Sequence, residues 1–114
     1  MKKTYLILAV FSFISLMFMS SPSKSEAWST RSAELEHADK ELNRVYNLII
    51  NKMDSETQQH LREAQRKWIE FRDLDCTWAF VDNRDCLMDR TERRAEELRN
   101  SWFYDSSKKY ISLD

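Results

Sequence analysis

The stretch EAQRKWIEFRDLDC, residues 63–76, interleaves charged side chains with two aromatics and a cysteine and contains neither glycine nor proline. It reads as a catalytic helix, a solvated spacer, or one wall of a small core whose polar members have fixed partners. Its apolar positions continue those of the residues before it. Leu61, Ala64, Gln65, Trp68, Phe71, Arg72 and Asp75 recur at three- and four-residue steps, the pattern of one helix face. Arg66, Glu70 and Asp73 point away from that face and are expected in solvent. Arg72 and Asp75 fall inside the apolar stripe, where an unpaired charge is costly.

Working outward, the stretch has a helical neighbour on each side. Upstream, Leu35, Ala38, Leu42, Val45, Tyr46, Ile49 and Met53 define a first helix over about 30–53. Asp54-Ser55-Glu56-Thr57-Gln58 then supplies a helix start, with Ser55 and Gln58 fitting a capping box. Downstream, Leu87, Thr91, Arg94, Ala95, Leu98 and Trp102 give a third helix, and the residues after Tyr104 read as a loose polar tail. Beyond residue 27 there is no glycine or proline, so hairpins and phosphate-cradling loops are not expected. The fold class is all-α: a small antiparallel helical hairpin plus a third helix, stapled by one disulfide.

The short turn between the first two helices makes them antiparallel neighbours and fixes their register. Reflection about the Asp54–Ser55 bond sets Ile49 near Leu61, Tyr46 near Gln65, Leu42 near Trp68 and Asp39 within a turn of Arg72. An Asp39–Arg72 ion pair is expected, with Asp75 able to share the guanidinium. Asn43 and Gln65 complete the set of structural polar side chains.

The chain starts with Lys2 and Lys3, an uncharged run from Thr4 to Ser23, and Ser25-Glu26-Ala27. This is the pattern of a secretory signal peptide over 1–27, cleaved after Ala27. Its apolar part, about 16 residues, is short of the roughly 20 a spanning helix needs, so a membrane role is confined to an uncleaved leader. No cysteine near the cleavage point supports a lipid anchor. A helical domain over 28–104 and a polar tail over 105–114 follow, and the product is expected in the periplasm or secreted.

Without residues 1–27 the net charge is −3, from 15 basic and 18 acidic side chains. That balance disfavours nucleic acid, whose phosphates reward a basic patch, and suits a basic protein partner. A core drawn from 87 residues is marginal without a staple. Cys76 and Cys86, the only cysteines, most simply form a disulfide in an exported chain. A zinc site with His37 and His60 lacks CxxC or HxxxH spacing, and a redox dithiol lacks CxxC. No metal or cofactor is implied.

Enzymatic readings are weak. Glu70 with Asp73 could pair as carboxylates, but acids on an outer helix face are usually solvated. His37 and His60 lie on separate helices without a nucleophile partner. The chain is read as a non-enzyme.

The combination of Ala38-Asp39, Leu42-Asn43 and Tyr46, then Ala64-Gln65-Arg66, Trp68, Phe71-Arg72 and Cys76, then Cys86-Leu87, Thr91, Arg94 and Leu98, resembles the LprI-type lysozyme-inhibitor family. The resemblance covers roughly residues 36–99. It implies an exported helical domain whose named member binds and inhibits lysozyme. Trp28-Ser29-Thr30-Arg31-Ser32 stands where that family has a first cysteine pair, and the Cys76–Cys86 interval is short for it. The partner implied is a protein, a lysozyme; the rival reading is a periplasmic interaction or envelope-stress module without inhibitory activity. Trp28 and Trp102 allow a dimer without requiring one.

The loop from Thr77 to Asp85 is the expected partner surface, because the disulfide would fix its ends and reduce the entropy lost on binding. A lysozyme cleft works with two carboxyl groups and could accept a projecting Arg84 or Asn83, with an aromatic anchor from Trp78 or Phe80. The competing reading is that Trp78 and Phe80 cap the core at the end of the second helix.

Overall fold

The computed structural model describes residues 24–79 and 81–114. Helix α1 spans Lys24–Ile50, α2 Ser55–Ala79 and α3 Arg84–Arg99, followed by short strands β1 (Phe103–Tyr104) and β2 (Tyr110–Ile111). The fold is the expected all-α hairpin with a third helix and one disulfide, with a two-residue-deep β-ribbon added. The leader expected over 1–27 lies almost wholly outside the described residues. Lys24–Ala27 form the first turn of α1, and no helix among the described residues is long and apolar enough to cross a membrane.

The turn between α1 and α2 is built from side chains. As α1 ends, Lys52 N–H donates to Ile49 O at 3.0 Å and Met53 N–H to Ile50 O at 3.3 Å, tightening the last turn. Asp54 is the cap of α2, its Oδ1 accepting from Thr57 N–H at 2.7 Å. The expected Ser55–Gln58 box does not form. Gln58 turns backward instead, its amide donating to Ile50 O at 2.8 Å and Met53 O at 3.3 Å. One side chain thus satisfies carbonyls that the end of α1 leaves open.

Leu42, Val45, Ile49 and Met53 from α1 bury against Ala95, Leu98 and Phe103, with Tyr46, Leu61, Trp68, Ile111 and Leu113 packed around them. Helix α3 runs parallel to α1, since Arg84 meets Ser32 at one end and Arg99 meets Glu41 further along. Both are antiparallel to α2. Backbone approach is far more extensive between α1 and α3 than between either and α2. The reason lies in what α2 presents inward: the bulky and polar Gln65, Trp68, Arg72 and Asp75 rather than small apolar groups.

Two expectations for α2 are overturned by this arrangement. Phe71 is 62% exposed and Ala64 is exposed, so neither belongs to the buried face. With α3 lying on α1, the inward direction of α2 is centred on Gln65, Trp68, Arg72 and Cys76, and Phe71 is carried outside.

The segment expected as a loose tail folds back. Phe103 pairs with Ile111 and Tyr104 with Tyr110. Asp54 N–H donates to Tyr104 O at 3.1 Å and Ser106 N–H to Lys52 O at 3.1 Å, so the α1–α2 turn adds to the ribbon's other edge. A hairpin without glycine is possible here because Asp105 Oδ1 accepts from Ser107 N–H at 2.8 Å and Lys109 N–H at 2.9 Å. Lys108 takes the positive φ of 63°, and its ammonium reaches Asp54 Oδ2 at 2.6 Å. That contact and the bonds from Thr57 hold the Asp54 carboxyl well below the usual range. Trp102, expected on the third helix, falls beyond it and lies 5.5 Å from the Tyr110 ring.

Candidate partner-binding surface

The site is built at the corner where α2 turns into α3. Cys76 and Cys86 are bonded, with Cα atoms 5.6 Å apart, and both are buried. Two turns of helix and the intervening loop are therefore held together by one covalent link.

Polar rungs continue from the disulfide along α2 and α3. Arg90 donates through Nε and Nη2 to Asp75 Oδ2, each at 3.2 Å. Arg72 Nη1 donates to Thr91 Oγ1 at 3.0 Å and to Asp39 Oδ1 at 3.3 Å. Arg94 Nε donates to Gln65 Oε1 at 3.1 Å. The Trp68 ring lies beside two of these cations, 5.3 Å from the Arg72 guanidinium carbon and 5.8 Å from that of Arg94, distances at which the ring quadrupole attracts them. Asp39 and Arg72 thus pair as expected, whereas Gln65 bonds Arg94. Asp75 does not share Arg72 as expected; it serves Arg90, while Asp73, expected free in solvent, takes Arg72 Nε at 2.9 Å. Asn43 is exposed on α1, beside Asp39, Gln65 and Arg72 but without a hydrogen bond to any of them.

Arg84 was expected to project and does not. It is 8% exposed, and its guanidinium donates to both Asp82 oxygens, at 3.0 and 2.8 Å, and to Ser32 Oγ at 2.8 Å. Arg31 adds a bond to Asp82 at 3.3 Å. The paired guanidinium of Arg84 holds the Asp82 carboxyl well below its ordinary range, and Asp82 in turn raises Arg84. Arg84 is the first residue of α3 and fastens the loop to α1, which is why it faces inward. Asn83 occupies the preceding cap position without a side-chain capping bond and is half-buried.

Trp78 is 79% exposed, so it does not cap the core; its indole N–H reaches Asp75 Oδ1 at 3.4 Å. Phe80 lies outside the described residues. Val81 is fully exposed. Sequence reasoning missed the rest of this surface. Phe71, Leu74 (73% exposed) and Trp78 follow at three- and four-residue spacing on α2, forming an apolar stripe on the side opposite the bundle. The signal was present in the sequence, because Leu74 and Trp78 belong to no inward face.

Among the described residues no group of three or more His, Cys, Asp or Glu is placed to hold a metal. His37 and His60 are exposed on α1 and α2. The exposed residues Phe71, Leu74, Trp78 and Val81 are apolar and lie close in sequence to the buried Cys76–Cys86 disulfide.

Comparison with curated proteins and with solved structures gives no match. The family model described as Lysozyme inhibitor LprI matches residues 20–98, a span containing all three helices but for the end of α3. That span includes the polar rungs, the disulfide and the exposed stripe, and the chain belongs to the LprI lysozyme-inhibitor family.

Proposed function

We propose that this chain is an exported, non-catalytic binding protein that blocks a lysozyme-type glycosidase by protein–protein contact. The observation that carries the reading is the exposed apolar stripe of Phe71, Leu74 and Trp78 on α2, with Val81 in the loop that follows it. Clustered exposed apolar side chains of this kind, unlike singly scattered ones, are what interaction surfaces present. Trp and Phe on a well-anchored backbone are the residue types that dominate interface energetics, because they bury much area at little entropic cost.

The fastening of the loop supports the same reading. With Cys76–Cys86 bonded and Arg84 tied to Asp82 and Ser32, Trp78 and Val81 are presented by a backbone already constrained before contact. Arg84 acts here by holding the loop rather than by reaching into the glycosidase cleft. Asn83 is the polar side chain left near the rim. A net charge of −3 beyond residue 27 favours encounter with a basic partner. The leader pattern and the disulfide both suit an oxidising compartment outside the cytoplasm.

The test is inhibition of lysozyme-driven lysis of bacterial walls by the purified protein, alone and with Phe71→Ser, Leu74→Ser and Trp78→Ser combined. Inhibition by the wild type, lost in the triple variant at unchanged helical circular dichroism, is the expected result. A wild-type protein that leaves lysis untouched would instead favour an exported interaction module using the same stripe.

A further inference from the structure

A second surface is independent of the stripe and of the lysozyme reading. Between α1 and α2, on the flank away from α3, lies an open cleft of about 440 Å³. Gln65 and Arg72 line it from α2 while their polar ends also reach Arg94 and Thr91 on α3. Leu42, Tyr46, Gln65 and Ile69 line it together with Asn43, Arg62, Arg66 and the Asp39–Arg72 pair.

The charges in this cleft do not balance. Three guanidinium groups face one carboxylate, and that carboxylate already belongs to Arg72. Arg62 gives one N–H to Gln58 Oε1 at 3.4 Å and meets no carboxylate among the described residues. Arg66 has no side-chain hydrogen bond or ion pair among the described residues, although Glu63 and Glu70 are its neighbours on α2. Like charges four residues apart on a helix repel, and an anion seated between Arg62 and Arg66 would relieve that repulsion. The Asn43 amide, also without a side-chain partner among the described residues, offers both a donor and an acceptor, the pattern that a peptide group requires.

We infer that this cleft binds an extended acidic segment of a protein partner. A carboxylate sits between Arg62 and Arg66, an aliphatic side chain lies on Leu42 and Ile69, and a peptide group bonds to Asn43. The volume is in the range of small-ligand sites, roughly 300–1,000 Å³, enough for a few residues. Leu42 and Ile69 offer an aliphatic side chain two apolar neighbours, while Tyr46 is the single ring in the lining against which a sugar face could stack. Ile69 and Leu74 are separated by roughly 140° around α2 at about 100° per residue, so a partner on the stripe leaves the cleft open.

The test is an NMR titration of isotope-labelled protein with a blocked tetrapeptide of alternating leucine and glutamate, and with its leucine–glutamine counterpart. Saturable shifts of the Asn43 side-chain amide and the Arg62 and Arg66 Nε–H groups, with at least tenfold weaker binding of the glutamine peptide, are expected. Arg62→Glu with Arg66→Glu should abolish binding of the acidic peptide. Equal binding of the two peptides, shifts confined to other surfaces, or occupation by N-acetylmuramic acid with no response to the acidic peptide would overturn the inference. Should the double variant not fold, the comparison of the two peptides on the unaltered protein decides alone.

Discussion

Arg72 and Thr91 stand 3.0 Å apart, the guanidinium of α2 donating to a hydroxyl of α3 that is wholly buried, while the same nitrogen reaches Asp39 on α1. One side chain thereby ties three helices, and it does so where α2 lacks an extensive apolar seam. Thr91→Val preserves the shape and removes the acceptor. It should lower stability by about 1–3 kcal/mol, the cost of leaving a buried polar group unsatisfied. Urea unfolding checks this; an unchanged midpoint would show that Arg72 is satisfied without Thr91.

The staple should matter as much. Closing the short ring between Cys76 and Cys86 constrains the unfolded chain by about 2.5–3 kcal/mol. Cys76→Ser with Cys86→Ser should therefore lower the melting temperature by about 10 °C or more, since each kcal/mol moves a domain of this size by roughly 4–8 °C. Thermal unfolding followed by circular dichroism measures it, and thiol titration of the native protein should find no free cysteine.

The carboxy-terminal ribbon is part of the core. Phe103 is 4% exposed among Leu42, Val45, Ile49, Met53, Ala95 and Leu98. Phe103→Ala should cost about 3–5 kcal/mol, a large share of a small domain's stability, and a chain ending at residue 101 should unfold more readily still. Denaturant midpoints equal to those of the wild type would mean that the ribbon is only an appendage.

Acid should unfold the protein through its paired carboxylates. Bonding to Arg44, reinforced by Arg99, pulls Glu41 from 4.5 down to about 2. The Lys108 and Thr57 contacts lower Asp54, and Arg84 lowers Asp82. A carboxyl with a lower pKa folded than unfolded binds its proton more readily in the unfolded chain, so protonation favours unfolding. The stabilisation is present in full above about pH 4.5 and is lost as pH falls toward 2. Melting temperatures across pH 2–7 check this, and Glu41→Gln should flatten part of the acid decline.

The helices, the Asp39–Arg72 pairing and the disulfide were legible because each follows from local rules: three- and four-residue periodicity, a short turn that fixes register, and an even cysteine pair. What was not legible depends on where α3 lies. A two-helix reading places Phe71 inside beside Trp68, whereas α3 on α1 shifts the inward direction of α2 and turns Phe71 out. The same placement gave Asp75 to Arg90 and buried Arg84 against Ser32, contacts between residues up to 52 positions apart that no spacing reveals. The ribbon was hidden because its turn uses Asp105 and a positive φ at Lys108 in place of glycine.

The central claim is that the outer face of α2 binds a lysozyme. Its most direct test is calorimetric titration of lysozyme with the wild-type protein and with Trp78→Ala. An anchor of this kind typically contributes about 2 kcal/mol or more, so the account predicts saturable wild-type binding and at least roughly tenfold weaker binding by the variant at an unchanged melting temperature. Equal affinity of the two proteins, or no heat of binding from the wild type, would contradict it.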